Sequence, residues 1–331
     1  MGYSVVLTDH VFPEASLIDE MRDQVGVQLE VHNCLDEDGL IEITRSADGV
    51  VVERARITRR VVASMERCQI MVRHGVGYDT LDVDAATEAG ICVCNVTDYC
   101  TQEVADHTMA LLIALARSLF PLDAQVRAGG WDVFAASGRN RRIEGQTLGL
   151  VGFGKIGQAV ARRAGGFGME VVAYDPYIGA DAMRAAGVRK VELEELLRVS
   201  DAVSLHLPLS ASTRHLLNGD RIRLMKPTAF VVNTARGGLV DQKALAEALA
   251  EGRLAGAGLD TFEEEPPAAD DPLLKLPNVI VSPHAAFYST TSLRELHRRV
   301  ARRIAQVLLE GRRPDNLLNP AVLERSRAHL V

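Results

Sequence analysis

The feature that most constrains this chain is a glycine-rich turn between an apolar segment and an alanine-rich helical pattern. Gly152, Gly154 and Gly157 match G-x-G-x-x-G. The first glycine allows a tight turn, the second lets the backbone approach a pyrophosphate, and the third lets the helix pack closely on the strand. The helix N-terminus then faces the phosphates with its free N–H groups. The segment therefore predicts a dinucleotide-binding unit, with Lys155 and Ile156 in the turn.

An acidic residue completes this unit. The next apolar segment, residues 171–174, is followed by Asp175, at about the distance from the turn that is typical of the ribose-binding acid. A carboxylate here can accept hydrogen bonds from both ribose hydroxyls of an adenosine, and it repels a 2′-phosphate. The sequence therefore predicts NAD rather than NADP. The alternative is a domain of the same fold that binds no cofactor.

Short apolar segments alternate with helical patterns along the chain. In the first hundred residues, strands are predicted at 4–7, 28–31, 50–52, 70–72 and 91–94, and helices at 14–22, 40–45, 60–67 and 82–88. A second alternation begins at Thr147, with further strands at 170–174, 202–205, 229–232, 256–259 and 279–281. Such alternation predicts right-handed βαβ units and parallel sheets. We expect an α/β protein with two doubly wound parallel-sheet domains.

Two long helical patterns, at 102–118 and 289–310, flank the second alternation. This arrangement predicts a Rossmann NAD domain at residues 101–288, inserted into a flavodoxin-like substrate domain made of residues 1–100 and 289–331. The return of the last helix to the first domain is a hypothesis, because periodicity alone does not show it.

Composition argues against several classes. A net charge of −7 disfavours contact with a phosphate backbone, so no direct nucleic-acid binding is expected. No run of about 18 apolar residues predicts a membrane span. The five cysteines include no C-x-x-C pair, which argues against a zinc site and a disulfide framework. The N-terminus does not resemble a signal peptide. We expect no metal and a cytoplasmic location.

Three polar segments, 232–241, 258–266 and 279–288, follow late predicted strands. Ligands of open α/β sheets bind at the carboxyl ends of the strands, so these segments could face one cleft. The motifs NTARGGLVD, PHAAFYS and GRRPDNLLNP, which begin at Asn233, Pro283 and Gly311, resemble the D-isomer-specific 2-hydroxyacid dehydrogenases. The resemblance covers nearly the whole chain and is closest to the branch of the C-terminal-binding proteins.

The resemblance implies a catalytic set of Arg236, Glu265 and His284. In the reductive direction, NADH delivers a hydride to the carbonyl carbon of a 2-oxo acid, and the oxygen needs a proton. His284 would donate it, since histidine titrates near neutral pH, and Glu265 would orient the ring and favour the imidazolium. The guanidinium of Arg236 would bind the substrate carboxylate. Without the resemblance, a surface turn, a solvated acidic run and a loop histidine explain the same residues.

The resemblance also implies contacts with the rest of the cofactor and with the substrate. These contacts are Leu207, Pro208 and Thr213 near the adenosine and phosphates, Thr234, Ala235 and Asp260 near the nicotinamide, and the N–H groups of Val76 and Gly77 at the substrate carboxylate.

The leading interpretation is an NAD-dependent dehydrogenase that interconverts a small 2-oxo acid and a D-2-hydroxy acid. One alternative is an NAD-sensing scaffold that binds partner peptides, as in the C-terminal-binding-protein branch. Another is a phosphoglycerate dehydrogenase, in which Arg73 and His74 would meet the substrate phosphate. The long helix at 102–118 and the related proteins both indicate a homodimer.

Overall fold

The computed structural model describes residues 2–10, 15–137, 140–328 and 330. The chain forms two compact units, one joining Met1–Tyr99 to Ser289–Val331 and the other comprising Cys100–Tyr288. The strands are β1 Val5–Leu7, β2 Leu29–Val31, β3 Gly49–Val52, β4 Ile70–Arg73, β5 Cys92–Cys94, β6 Thr147–Val151, β7 Glu170–Tyr174, β8 Arg189–Lys190, β9 Ala202–Leu205, β10 Phe230–Asn233, β11 Gly256–Leu259 and β12 Val279–Val281. The α-helices are α1 Ala15–Val25, α2 Glu37–Thr44, α3 Arg59–Ser64, α4 Val83–Glu88, α5 Thr101–Ala116, α6 Leu119–Arg127, α7 Val133–Ser137, α8 Lys155–Gly166, α9 Ala180–Ala185, α10 Leu193–Val199, α11 Gly219–Ile222, α12 Gln242–Ala250 and α13 Thr290–Leu308.

The first unit is a parallel sheet in the order β2-β1-β3-β4-β5. Strands β1, β3 and β5 are buried along their whole length, as expected for parallel strands with both faces covered. Helix α13 packs against α1 and β4. The Arg303 side chain donates from Nε to the Asn95 carbonyl at 2.9 Å, and Asn319 accepts from the Val93 N–H at 2.9 Å. These bonds tie the C-terminal segment to the end of β5.

The second unit is a parallel sheet in the order β12-β11-β10-β9-β6-β7-β8. Strand β6 pairs with β7 on one side and with β9 on the other, so the strand order reverses at β6. Ligands of doubly wound sheets bind outside the carboxyl ends of the strands at this reversal. The glycine-rich turn directly follows β6 and so lies at that point.

The predicted fold class is confirmed, since both sheets are parallel and alternate with helices. Some element boundaries differ from the prediction. The helix expected at 102–118 ends at Ala116, and Ser118 has a left-handed φ of +50° that breaks the chain direction before α6. The two-residue edge strand β8 was not predicted, because two polar residues carry no apolar alternation. Residue 14, the first residue of a predicted helix, lies outside the described residues.

Helix α5 owes its apolar sequence to burial within the second unit. It packs against α8 and against strands β10 and β11. A Cβ at Gly258 would lie 3.0 Å from the Leu111 Cβ, so the helix approaches the sheet closely where the strand has no side chain. By length and composition, no single helix among the described residues could span a membrane. Helices α5 and α6 taken together are long and apolar enough for a span, but the chain bends by 62° between them.

Candidate active site

The turn after β6 has the geometry that its three glycines predict. Gly152 has a φ of +101°, and a Cβ there would lie 2.6 Å from the His206 carbonyl oxygen. A Cβ at Gly157 would lie 2.4 Å from the Gly152 oxygen, so the helix packs directly on the turn. Gly154 is the N-cap of α8, and no described atom lies within 4 Å of a Cβ built on it. The N-terminus of this twelve-residue helix is therefore open at Gly154, and a helix N-terminus favours an anion such as a pyrophosphate.

Asp175 lies at the end of β7 and is buried. Its carboxylate accepts hydrogen bonds from the Phe153 N–H at 2.9 Å and the Tyr177 N–H at 2.8 Å. It thereby ties the glycine-rich turn to the neighbouring strand, a role that the sequence did not suggest. Each carboxylate oxygen has a further lone pair, so the group can still accept from ribose hydroxyls.

The loop after β9 carries Leu207, Pro208 and Thr213. The Thr213 hydroxyl donates to the Pro208 carbonyl at 2.7 Å and accepts from the Ser210 N–H at 2.8 Å. The loop is therefore closed on itself by one threonine side chain. It follows His206, whose carbonyl meets the glycine-rich turn, so it borders the same end of the sheet.

Thr234, Ala235 and Arg236 directly follow β10, the strand that neighbours β9 in the sheet. Asn233, which the sequence did not single out, accepts from the Ala235 N–H at 3.0 Å and donates to the Arg236 carbonyl at 2.9 Å. Its amide thus sets the backbone that presents the arginine. A Cβ at Gly237 would lie 1.9 Å from the Phe262 carbonyl carbon, so only glycine permits this approach of the arginine segment to the segment after β11.

Glu265 and His284 are brought together from the segments after β11 and β12. Glu265 Oε2 lies 2.7 Å from His284 Nδ1, and its Oε1 accepts from the Phe262 N–H at 3.0 Å. Burial raises the pKa of the Glu265 carboxyl. The hydrogen bond and charge of His284, the Phe262 N–H and the charge of Arg236 lower it, and together they leave the pKa below its usual range. The group is therefore a carboxylate near neutral pH and can hold the imidazole at Nδ1.

Asp260 is fully buried behind this pair. Its carboxylate accepts from the Ala285 N–H at 2.8 Å and the Ala286 N–H at 2.9 Å, and its carbonyl accepts from the His284 N–H at 2.8 Å. The sequence interpretation placed this aspartate near the nicotinamide carboxamide. In the structure its carboxylate holds the loop that carries His284, with Ser282 as a further donor. Only the tertiary contacts reveal this function.

Val76 and Gly77 lie in the first unit, in the loop after β4. Gly75 precedes them with a φ of +142°, and its carbonyl accepts from the Val96 N–H at 2.9 Å. The Asn95 side chain donates to the Val76 carbonyl at 2.6 Å. The loop is therefore held at the carboxyl end of the sheet by the segment after β5.

The two residues considered for phosphate binding lie beside this loop. His74 is buried, and its ring stacks on His297 with centroids 5.2 Å apart. Arg73 donates from its side chain to the His74 carbonyl. A buried, stacked imidazole is not placed to receive a substrate phosphate, which weakens the phosphoglycerate interpretation.

Comparison with known proteins supplies the family. Residues 109–286 match the sequence model described as the NAD binding domain of D-isomer specific 2-hydroxyacid dehydrogenases. This chain belongs to that family. It is an oxidoreductase that acts on the CH–OH group of D-2-hydroxy acids, as the sequence predicted, and it binds NAD(P).

Individual relatives refine the placement. A glyoxylate reductase of Korarchaeum cryptofilum is 44% identical over 291 residues, which is 86% of each chain. A D-3-phosphoglycerate dehydrogenase of Methanocaldococcus jannaschii is 41% identical over 317 residues, 95% of this chain but 59% of that protein. The D-lactate dehydrogenase of Aquifex aeolicus, solved with NAD and lactic acid, superposes with a TM-score of 0.84 at 29% identity and covers 93% of this chain and 96% of its own. None of these three is a C-terminal-binding protein, so they support the family but not that branch.

Proposed function

We propose that this chain is an NADH-dependent reductase of small 2-oxo acids, with glyoxylate or hydroxypyruvate as the substrate. The observation that carries the proposal is the Glu265–His284 pair, 2.7 Å apart at the carboxyl edge of the sheet, with the charge of Arg236 acting on it. The 44% identity to a glyoxylate reductase supports this substrate class over larger 2-oxo acids.

Each of these three side chains has a distinct part in the proposed reaction. NADH, when bound, supplies the hydride. Glu265 holds His284 through Nδ1, so the proton exchanged with the substrate oxygen is carried at Nε2. Arg236 binds the substrate carboxylate and draws charge towards the carbonyl oxygen. In the oxidative direction His284 accepts the proton from the hydroxyl group.

The residues fit a dinucleotide, and we propose NAD rather than NADP. The open space at Gly154 and the helix N-terminus behind it would hold the pyrophosphate, with Lys155 and Ile156 in the same turn. Asp175 would accept from the ribose hydroxyls, and its charge would repel a 2′-phosphate. Thr234 and Ala235 are proposed for the nicotinamide end. Thr234 is buried and shares a 2.8 Å hydrogen bond with Thr108 of α5.

The N–H groups of Val76 and Gly77 are also proposed to bind the substrate carboxylate. The 2.6 Å bond from Asn95 to the Val76 carbonyl orients that peptide. Backbone N–H groups in a glycine-rich loop form a concave site for an anion.

The test is a set of initial rates of NADH oxidation with glyoxylate, hydroxypyruvate, pyruvate and phenylpyruvate, each repeated with NADPH. We expect the highest kcat/KM with glyoxylate or hydroxypyruvate and a product of D configuration where a stereocentre forms. A preference for phenylpyruvate would overturn the substrate assignment, and a preference for NADPH would overturn the role of Asp175.

Two other functions have distinct signatures in the same experiment. Oxidation of D-3-phosphoglycerate, with little turnover of the unphosphorylated acids, would favour the activity named for the Methanocaldococcus relative. Binding of NADH without turnover of any acid would favour the NAD-sensing scaffold.

We also propose a homodimer. Helix α5, which first indicated one, is covered largely by its own unit. Three exposed aromatic side chains follow it, with Phe120 59%, Trp131 90% and Phe134 85% exposed. Large apolar groups clustered on one exposed segment are typical of an interface. A monomeric mass in analytical ultracentrifugation at micromolar concentration would contradict the dimer.

A further inference from the structure

We propose that His107 and Ser282 are positioning residues that hold His284 in its working orientation through Asp260. The proposal rests on the proposed function of His284 as the proton carrier, and it adds a chain of partly buried hydrogen bonds that begins on helix α5. Neither residue belongs to the set that the sequence indicated.

The chain is defined by short contacts within the second unit. Ser282 Oγ lies 2.5 Å from Asp260 Oδ1, and His107 Nε2 lies 2.9 Å from Ser282 Oγ. The same imidazole nitrogen lies 3.6 Å from Asp260 Oδ1. His107 is half-buried, and Asp260 is fully buried. A helix, a loop and a strand end therefore meet at one carboxylate.

The direction of each hydrogen bond follows from the donors available. The Asp260 carboxylate already accepts the N–H groups of Ala285 and Ala286, and the single proton of the Ser282 hydroxyl is directed to it as well. The Ser282 oxygen must then accept from His107, so the proton of a neutral His107 ring lies on Nε2. The same nitrogen keeps its proton when the ring is charged, so the contact persists in both protonation states.

The consequence for His284 comes from its backbone. His284 has a φ of +53°, in the left-handed region that a residue with a side chain rarely adopts. Such a conformation persists only where the surroundings over-determine it. Here the Asp260 carboxylate accepts hydrogen bonds from Ser282, which precedes His284, and from Ala285, which follows it. The Asp260 carbonyl accepts the His284 N–H.

Loss of the His107 bond frees the Ser282 hydroxyl to rotate and removes one support of the Asp260 carboxylate. The loop can then relax towards an ordinary φ, which turns the imidazole away from Glu265. Small misplacements of a reacting group cost far more in the chemical step than in substrate binding. The expected signature is a lower kcat with little change in KM.

The matched variants are His107→Gln and His107→Asn. A glutamine amide nitrogen reaches about as far as Nε2, whereas an asparagine amide nitrogen reaches only as far as Nδ1. We expect H107N to lower kcat for glyoxylate reduction by about 10- to 100-fold and H107Q to stay within about threefold of the wild type. Both should keep the Tm and the Kd for NADH, measured by its fluorescence.

A second pair tests the middle of the chain. Ser282→Ala should lower kcat as H107N does, and Ser282→Thr, which keeps the hydroxyl, should restore most of it. If H107N and H107Q behave alike, either both as the wild type or both equally impaired, the positioning role is wrong. A weaker Kd for NADH at unchanged kcat would instead make His107 a cofactor contact and also overturn the proposal.

A substrate-independent measurement separates this proposal from the proposed function. The rate at which diethyl pyrocarbonate modifies His284, followed by peptide mass spectrometry, reports the exposure and orientation of the ring. We expect a clear change in H107N and little change in H107Q. If the wild type reduces no 2-oxo acid while this difference is present, the proposed function fails and the positioning role stands. Identical modification rates in all three proteins would remove the positioning role.

Discussion

Glu265 Oε2 and His284 Nδ1 lie 2.7 Å apart, although the two residues are 19 positions apart in the chain, with strand β12 between them. The other oxygen of Glu265 accepts from the Phe262 N–H, so the carboxylate is held from both sides. This contact directs the Nε2 edge of the imidazole away from Glu265. Such geometry suits a group that carries one proton in a defined direction.

Removing the charge of Glu265 should slow catalysis. In Glu265→Gln we expect kcat for glyoxylate reduction to fall by about 10- to 100-fold, because a neutral amide holds the His284 ring at Nδ1 less firmly than the carboxylate does. Steady-state rates at saturating glyoxylate and NADH measure the effect.

The adjacent Glu264 is exposed and provides the matched control. Glu264→Gln should retain the wild-type rate. An unchanged kcat in Glu265→Gln would show that the carboxylate does not act on the proton carrier.

The open space at Gly154 makes a distinctive prediction for cofactor binding. Gly154→Ala should fold with an unchanged Tm, because no described atom meets the added Cβ. It should nevertheless weaken NADH binding by about tenfold or more, because the methyl group occupies the space proposed for the pyrophosphate. Fluorescence titration gives the Kd and calorimetry the Tm.

Gly165, in the same helix and with similarly open surroundings, is the control. Gly165→Ala should keep the Kd and stabilise the protein by up to ~1 kcal/mol. Unaltered NADH binding in Gly154→Ala would place the pyrophosphate elsewhere.

Replacing Asp175 should reduce the discrimination between the two coenzymes. In Asp175→Asn we expect the KM for NADH to rise by roughly tenfold and that for NADPH to fall, because the charge that repels a 2′-phosphate is gone. Some loss of Tm should accompany this, since the carboxylate also holds the Phe153 and Tyr177 N–H groups. The exposed Asp181 on α9 serves as control, and Asp181→Asn should change neither KM. Coenzyme preference that is the same in Asp175→Asn and the wild type would exclude this residue as the selector.

The buried histidine of α13 should make the protein sensitive to acid. Burial lowers the pKa of His297 to about 4, against about 6.5 in an unfolded chain. The unfolded state therefore takes up a proton first, and stability is lost as the pH falls from 6.5 towards 4. This one group lowers the free energy of unfolding by about 2 kcal/mol between pH 7 and pH 5.

The measurement is urea unfolding at both pH values. His297→Gln should be less stable at pH 7, since it loses the contact with Ser16. Between pH 7 and pH 5, this variant should lose about 2 kcal/mol less of its free energy of unfolding than the wild type loses. His32, at the end of β2 and partly exposed, is the control. An undiminished acid loss in His297→Gln would show that other groups carry it.

Much of this molecule follows from local sequence patterns. The glycine-rich turn and the parallel α/β class are visible in the chain, because they depend on steric needs that only glycine meets and on local periodicity. The family is visible only through the motifs that resemble it. Gly237 is also a position that only glycine can occupy. The cause there is a long-range contact, the close approach to the Phe262 backbone.

What the sequence alone determined is the set of residues to which the chemistry is assigned: the turn at Gly152–Gly157, and the types Arg236, Glu265 and His284 in their order. What only the tertiary structure decided is how those groups are supported. Asp260, Ser282 and His107 come from a strand end, a loop and a helix far apart in the chain, and none has a pattern that predicts the partner of its side chain. The physical reason is that a hydrogen bond of a buried carboxylate depends on directions and distances of about 3 Å, and these exist only once the elements have packed.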